Sequence, residues 1–401
     1  MIMKKVTAVL LCVIIAASAF FINAYGASNE NSQLTFSEDG KFRILQLTDT
    51  QDDAHPAKDL DTFLRLAIET AKPDLIVYTG DLVEDWRIAD LGVDDDPMNE
   101  GVVVKDSSGN IDIEATTKNI ETAVGFVLGV FEDYDIPYVI AQGNNDHKCG
   151  ITNEDWLRIY SEYPHCIVRD DSDDSEGGLD YNVIINGTDG SPKFNIWLLD
   201  TGRHGISDEQ LEWYKKQSAS IAESNGGTPI PAFLFQHIYT SDLGNVFAEC
   251  SPFDYGARAA GTGFYKLNPE TAKGYASYGY EPCEPSEQFK AWKESGDVIG
   301  AFFGHQHIDG FSGKVDGIEV GITYGAEFTK PGPYGFRIFE LDENDISNYT
   351  NDVYTYEGSV QAGNAHFELQ TDEKDFFADL AGKITAFFLN IPTFFEKLFG
   401  L

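Results

Sequence analysis

The sequence predicts an α/β fold on three observations. Short apolar runs rich in β-branched and aromatic residues alternate with stretches of 3.6-residue periodicity. Every such run stops abruptly in a polar cluster. The chain of 401 residues, 42% hydrophobic and 13% aromatic, can bury a large core. Strands alternating with helices imply a sheet of substantial parallel character, and such sheets hold ligands at the carboxyl ends of their strands.

In chain order, Phe42–Leu47 reads as a strand ending in Thr48-Asp49-Thr50-Gln51, followed by a helix over Asp59–Ala71. Leu75–Tyr78 ends in Gly80-Asp81 and precedes a helix over Thr116–Tyr134. Pro137–Ala141 ends in Gly143-Asn144-Asn145-Asp146. A helix over Asp208–Ser224 leads to Ala232–Phe235, which ends in Gln236-His237. A last helix, Ser286–Glu294, leads to Val298–Phe303 and Gly304-His305-Gln306-His307. Asp208 and Ser286 are suitable N-caps. No internal repeat or long linker divides residues 41–345, which read as one domain, with a segment 27–40 before it and a connecting segment 346–371 after it.

The formal charge is −38. Such acidity repels phosphate backbones wherever no local cation is presented, so nucleic-acid partners are not expected. Lys4 and Lys5 precede an apolar run from Val6 to Ile22, and small residues around Ala24-Tyr25-Gly26 follow it. Residues 1–26 therefore read as a removed signal peptide, with a retained membrane anchor the alternative, which places the mature chain outside the cytoplasm, secreted or at the cell surface. The mature chain loses those two lysines and stands at −40. It keeps four cysteines, for which Cys149–Cys166 and Cys250–Cys283 are the disulfides favoured by proximity, with free buried thiols the alternative.

Asp49, Asp81, Asn144, His237, His305 and His307 supply carboxylate, amide and imidazole ligands, the mixture that suits Mn, Fe, Zn or Mg. Asp81 as a bridge would span two ions about 3.5–4 Å apart, the separation that clamps both oxygens of a phosphoryl displacement. His305 and His307 are two apart, so an extended backbone would point both rings to one side, one for each ion.

The ordered set Asp49-Thr50-Gln51, Gly80-Asp81, Gly143-Asn144-Asn145-Asp146, His237 and Gly304-His305-Gln306-His307 resembles the calcineurin-like metallophosphoesterases over roughly residues 42–340. Trp197-Leu198-Leu199-Asp200-Thr201-Gly202, Gln210-Leu211-Glu212-Trp213, Gly296-Asp297-Val298, Phe311-Ser312-Gly313 and Tyr324-Gly325 are similar to a closer branch, the plant and fungal proteins described as purple-acid-phosphatase-29-like and their bacterial relatives. The resemblance implies a four-layer α/β/β/α sandwich of two mixed sheets. It also implies hydrolysis of small phosphate mono- or diesters by a hydroxide bridging two divalent or mixed-valence ions, Mn, Fe or Zn. Carried over by motif, one ion would be held by Asp49, Asp81 and His307 and the other by Asp81, Asn144, His237 and His305. Catalytic roles fall to Asp81, Asn144, Asn145, Asp146 and His237.

Three departures qualify this. Gln51 stands where a histidine is usual, and its amide oxygen is a weaker metal donor. Asn145 replaces the histidine expected to protonate the leaving group or steady the transition state, an effect of about 10²–10⁴-fold; His147 and His55 are candidate substitutes. Glu84 occupies the position of the chromophore tyrosine in true purple acid phosphatases, so no iron–tyrosinate centre is indicated. A weak or inactive metal- or phosphate-binding protein on the same fold is the alternative function. Arg203, His204 and Tyr239 are further candidates for reaching a phosphate. Asp94-Asp95-Asp96 and Asp170-Asp171-Ser172-Asp173-Asp174 lack EF-hand spacing and read as solvated loops.

The tail, residues 372–401, reads as two amphipathic helices interrupted at Pro392, with Asp379 and Lys383 breaking any membrane-spanning run. It suits docking on the chain's own surface or a partner, with contact to a membrane or cell surface the alternative.

Overall fold

A computed structural model describes residues 34–84, 107–110, 112–172, 178–359 and 363–370. The segment 1–26 read as a signal peptide, the 372–401 tail, the 94–96 cluster, Asp173, Asp174 and most of residues 86–113 lie outside them. Among the described residues no helix is long and apolar enough to cross a membrane.

The chain runs β1 (Lys41–Leu47), α1 (Lys58–Ala71), β2 (Leu75–Tyr78), α2 (Ile113–Glu132), β3 (Tyr138–Ile140), α3 (Asn153–Ser161), β4 (Tyr181–Asn186), β5 (Pro192–Leu199), α4 (Asp208–Ser224) and β6 (Ala232–Gln236). It continues through β7 (Phe247–Glu249), β8 (Arg258–Ala260), β9 (Gly263–Leu267), β10 (Ala272–Tyr275), α5 (Glu287–Ser295), β11 (Val298–Phe303) and β12 (Gly310–Val315). The last strands are β13 (Ile318–Ile322), β14 (Gly335–Asp342), β15 (Thr350–Glu357) and β16 (His366–Leu369).

Two mixed sheets result, one in the order β16-β15-β14-β1-β2-β3 and one in the order β10-β12-β13-β11-β6-β5-β4; β7, β8 and β9 form a small third. Parallel pairing joins β1 to β2 and β2 to β3 in the first sheet, and β5, β6, β11 and β13 in the second. Strand alternation sorts the side chains into layers. Leu45, Leu47, Ile76 and Tyr78 pack with Phe63, Leu64, Val127, Phe131 and Trp156 of the helices on one outer face. Trp197, Leu199, Leu234 and Phe303 pack with Tyr214, Phe289 and Trp292 on the other. Between the sheets Phe233, Phe235 and Phe302 meet Phe339, with centroids 4.5–5.8 Å apart, and Gln46 of β1 donates to the Phe303 carbonyl of β11. The layering is α/β/β/α.

Four sequence expectations need correction. Ser207, not Asp208, caps α4: its Oγ accepts from Gln210 N while Gln210 Oε1 accepts from Ser207 N, a capping box that puts Asp208 in the first turn. Residues 350–357 and 366–369, assigned to a connecting segment, are β15 and β16, stacked on β14 in antiparallel register. No disulfide joins the four described cysteines: the chain carries Cys149 and Cys166 into the same core without bonding them to each other, and Cys149 Sγ instead donates to the Asn145 carbonyl at 3.3 Å. The segment after β11 is a turn rather than an extended strand, with His305 at φ 72°.

Candidate metal centre

The parallel strands β1, β2, β3, β6 and β11 all end at one edge, and past their ends lie Asp49, Asp81, Asn144, His237 and the His305/His307 pair. The loops are tied to each other: Asp49 N donates to Gly80 O, Gln51 N to Asp81 O and Gly304 N to His237 O, at 3.0–3.2 Å. Asp49, Gln51, Asp81 and His305 all adopt left-handed backbone, with φ of 53°, 40°, 56° and 72°. Such conformations cost of order 1–3 kcal/mol each and persist only where surrounding structure imposes them. Two glycines allow the loops to close. A Cβ on Gly143 would lie 2.1 Å from Asp81 Oδ1, and one on Gly304 would lie 2.1 Å from Thr48 Oγ1 and 2.7 Å from Asp49 Oδ2.

Two groups of side chains share Asp81. Asp81, His237 and His305 form one and Asp49, Asp81 and His307 the other, with ligand atoms in each group within 4.8 Å of one another. His237 Nε2 is 3.2 Å from Asp81 Oδ2, from Asn144 Oδ1 and from His305 Nδ1. His307 Nε2 is 3.3 Å from Asp49 Oδ1. The rings are oriented from behind: His237 Nδ1 donates to the Thr79 carbonyl at 2.8 Å, and His307 Nδ1 lies 2.7 Å from Glu327 Oε2. Asp49 Oδ2 accepts from Thr48 Oγ1 and His305 N. The turn at His305 thus serves that backbone bond, and each histidine of the pair still reaches its own group.

These are buried ionisable groups at close range. Burial would raise Asp81, yet His237 beside it holds its carboxyl below the ordinary range. Burial would lower His237, but Asp81 and Asp49 push it up to about 10. His307 is likewise raised, to about 9, by Asp49 and Glu327 against its burial. His305 is driven down to about 4 by burial and by the neighbouring His237. Burial leaves Asp49 raised.

The residues fit a pair of divalent cations. Carboxylate, imidazole and amide form the donor set of such ions. Two buried oxygens of the cluster, Asp49 Oδ1 and Gln51 Oε1, accept no hydrogen bond, a condition costing about 1–3 kcal/mol per group that a cation would relieve. Gln51 turns its amide nitrogen to Asp81 Oδ2 at 2.9 Å, so its expected ligand atom faces away; exchanging the two amide positions would reverse this.

Asn145 donates from Nδ2 to Asp81 Oδ2 at 2.7 Å and from its backbone to Oδ1 at 2.8 Å. Asp146 is fully buried and accepts from the backbone of Asp81, Gly143 and Val83, staking the loops together; burial and Asp81 raise it to about 7. Its bonds are to the scaffold. His147 turns Nε2 to Asp200 Oδ1 at 2.7 Å. His55 is exposed, its backbone bonded to Asp53. Arg203 and His204 are exposed in the turn after β5. Tyr239 stacks obliquely at 6.2 Å from the His305 ring, and its hydroxyl accepts from Gln306. Asp170 bonds Ser172 and Asp171 pairs with Arg169, as a self-satisfied loop.

Three residues at the site carry no motif that sequence reasoning could use. Glu327 orients His307; Lys330 Nζ sits 2.6 Å from Glu327 Oε1 and 3.6 Å from Glu84 Oε2; and Lys148 reaches Asn145. The one signal for Glu327 is its place two residues beyond Tyr324-Gly325.

A family model described as calcineurin-like phosphoesterase matches residues 42–309. The chain is similar to two proteins of Arabidopsis thaliana. One is named probable inactive purple acid phosphatase 14, at 24% identity over 76% of this chain and 75% of that one. The other is named probable inactive purple acid phosphatase 29, at 23% identity over 80% of each. Among solved structures it is similar to a dimetal phosphatase from Danio rerio, with a TM-score of 0.44 and 12% identity, over 83% of this chain and 99% of that one.

Proposed function

The chain belongs to the calcineurin-like phosphoesterase family, and on that premise we propose that it hydrolyses small phosphate mono- or diesters at the Asp49–Asp81–His307 and Asp81–His237–His305 groups. The observation that carries this reading is the sharing of Asp81 between two ligand sets. Two divalent ions there would offset the charge of a phosphate and supply hydroxide near neutral pH by lowering the pKa of bound water.

The chain's own residues do the rest. Asp81 is the carboxylate common to both groups, and Asn145 fixes it by donating to each of its oxygens, from Nδ2 to Oδ2 and from the backbone to Oδ1. The Thr79 carbonyl and Glu327 fix the donating nitrogens of His237 and His307, so that each presents its other nitrogen inward. Asn144 Oδ1 stands beside His237 as the further oxygen of that group. A phosphate bound this way does not depend on clustered Lys and Arg, which reconciles the activity with a net charge of −38.

The deciding experiment strips the purified protein and reloads it with Mn, Fe, Zn, Co or Ni before assay on aryl phosphate monoesters and diesters. Metal-dependent turnover that Asp81→Asn removes is expected; no turnover with any metal, or undiminished turnover in the variant, overturns the reading. Gln51 and Asn145, amides where imidazoles are usual, favour a second reading, metal and phosphate binding without useful turnover; the names of the two plant relatives agree with it. Two bound ions with no hydrolysis of any ester would select it. The leader pattern in residues 1–26 supports action outside the cytoplasm, and a mature N-terminus at Ala27, read by mass spectrometry, is the expected result.

A further inference from the structure

We propose that Lys148 is a phosphate-contacting residue of this centre, meeting the substrate anion on the side where the histidine replaced by Asn145 would stand. The inference rests on the phosphoesterase reading above. Lys148 closes the short turn Asp146–Lys148 that follows the Asn144-Asn145 pair, and its Nζ donates to Asn145 Oδ1 at 3.2 Å. The same Asn145 amide donates to Asp81 Oδ2 at 2.7 Å. One amide therefore separates the ammonium from the carboxylate shared by the two ligand groups.

What sets Lys148 apart is its lack of a counter-charge. Among the described residues no carboxylate lies within 4.0 Å of its Nζ, in a chain with 66 acidic residues to 28 basic ones. The other cationic candidates at the rim are already engaged. Lys330 lies between Glu327 and Glu84, and His147 commits Nε2 to the buried Asp200. Asn145 Oδ1 is a neutral acceptor that holds the ammonium in place without neutralising it. A half-buried ammonium so placed gains most from an anion arriving above Asp81, where a phosphoryl oxygen would accept a charge-assisted hydrogen bond.

Calorimetric titration of inorganic phosphate into the metal-loaded full-length protein tests this, alongside metal content, for the wild type, Lys148→Met and Lys148→Arg. Lys148→Met is expected to keep both ions and bind phosphate about ten- to hundredfold more weakly, the range of one hydrogen bond to a charged group. Lys148→Arg should recover most of the affinity. Equal phosphate affinity in wild type and Lys148→Met overturns the assignment and leaves the phosphoesterase reading intact. Loss of metal together with phosphate in Lys148→Met also overturns it, because the lysine would then act on assembly of the centre. A wild type that holds metal but binds no phosphate overturns both.

Discussion

Two clusters of buried carboxylates sit at opposite ends of the strand layer and are built on contrary terms. At the amino end of β11, Asp297 is buried and fully answered: Trp197 Nε1, Tyr214 Oη and Ser218 Oγ donate to it at 2.7–3.0 Å. All three donors are neutral, they come from β5 and α4, and none has left-handed backbone. At the carboxyl ends, Asp49 and Asp81 face each other and three imidazoles, four residues of the cluster are in left-handed backbone, and two oxygens accept no hydrogen bond. The first arrangement pins a helix to a sheet and asks for nothing more. The second holds its carboxylates on strained backbone and leaves two acceptor oxygens open, which a cation would satisfy. Asp297 and Trp197 lie in segments that resemble the closer branch of the family, so that part of the resemblance reports on packing rather than chemistry.

The sharpest way to break this contrast is to exchange the outcomes. Asp81→Asn is expected to cost turnover per folded molecule by more than about a hundredfold, beyond the range of outer-shell substitutions, and also to lower the stability of the metal-free protein, because His237 loses its charged partner and the amide sets an N–H against the donors of Gln51 and Asn145. Asp297→Ala should spare the chemistry. It orphans three buried donors and should lower unfolding free energy by at least about 3 kcal/mol, with the turnover per folded molecule intact. Denaturant unfolding and metal-loaded turnover on the same two proteins check both; an equal loss of turnover per folded molecule in the two would dissolve the distinction.

A smaller effect is expected one step outside the ligands. Glu327→Gln keeps a hydrogen-bond acceptor for His307 Nδ1 but removes one of the two charges, after that of Asp49, that raise that imidazole. Affinity for the ion of the Asp49–Asp81–His307 group should fall by about 10–100-fold, while the ion on the His237 side stays. Competition with a chromophoric chelator, read as two separate binding steps, checks this. Loss of both ions together would mean that the two groups behave as one.

The same contrast explains which features the amino-acid sequence makes legible. The ligand-bearing residues are legible because each lies within four residues of a strand end, where local sequence carries both the apolar run and the polar stop: Leu47 to Asp49, Tyr78 to Asp81, Gln236 to His237. Their backbone state is not. An extended His305 satisfies the pattern equally well, and only the bond from His305 N to Asp49 Oδ2, across 256 positions, selects the turn. Glu327 and Lys330 belong to a loop that returns from β13 to a centre assembled by other strands, so spacing does not name their partners. The disulfide expectation fails for a related reason: short separation along the chain says nothing of how two Cβ vectors meet, and both Cys149 and Cys166 are accommodated as small apolar groups.

Asp180 offers the finest discrimination, since it stands between the two kinds of cluster. It is answered by two donors, Asp200 N and Gln210 Nε2, both at 2.8 Å, yet it lies beside the Asp200 carboxylate. Burial first, and then that like charge, push its pKa up to about 7. A carboxyl raised in the folded state holds its proton where the unfolded chain has released it, so the stability it contributes is complete below about pH 4 and is lost as the pH rises to about 7. Asp180→Asn cannot titrate. An amide in its place also sets one N–H against a donor, whichever way it is turned, which costs about 1 kcal/mol at every pH. The variant should therefore be the less stable protein at pH 4 and should gain on the wild type by on the order of 1 kcal/mol or more by pH 7.5, with no further gain above that. Urea unfolding of both proteins across this range reads the difference, in which the titration of every other group cancels. A difference that stays constant with pH would place Asp180 with Asp297 as a settled structural acid; one that grows between pH 4 and 7 places it with the frustrated carboxylates of the centre.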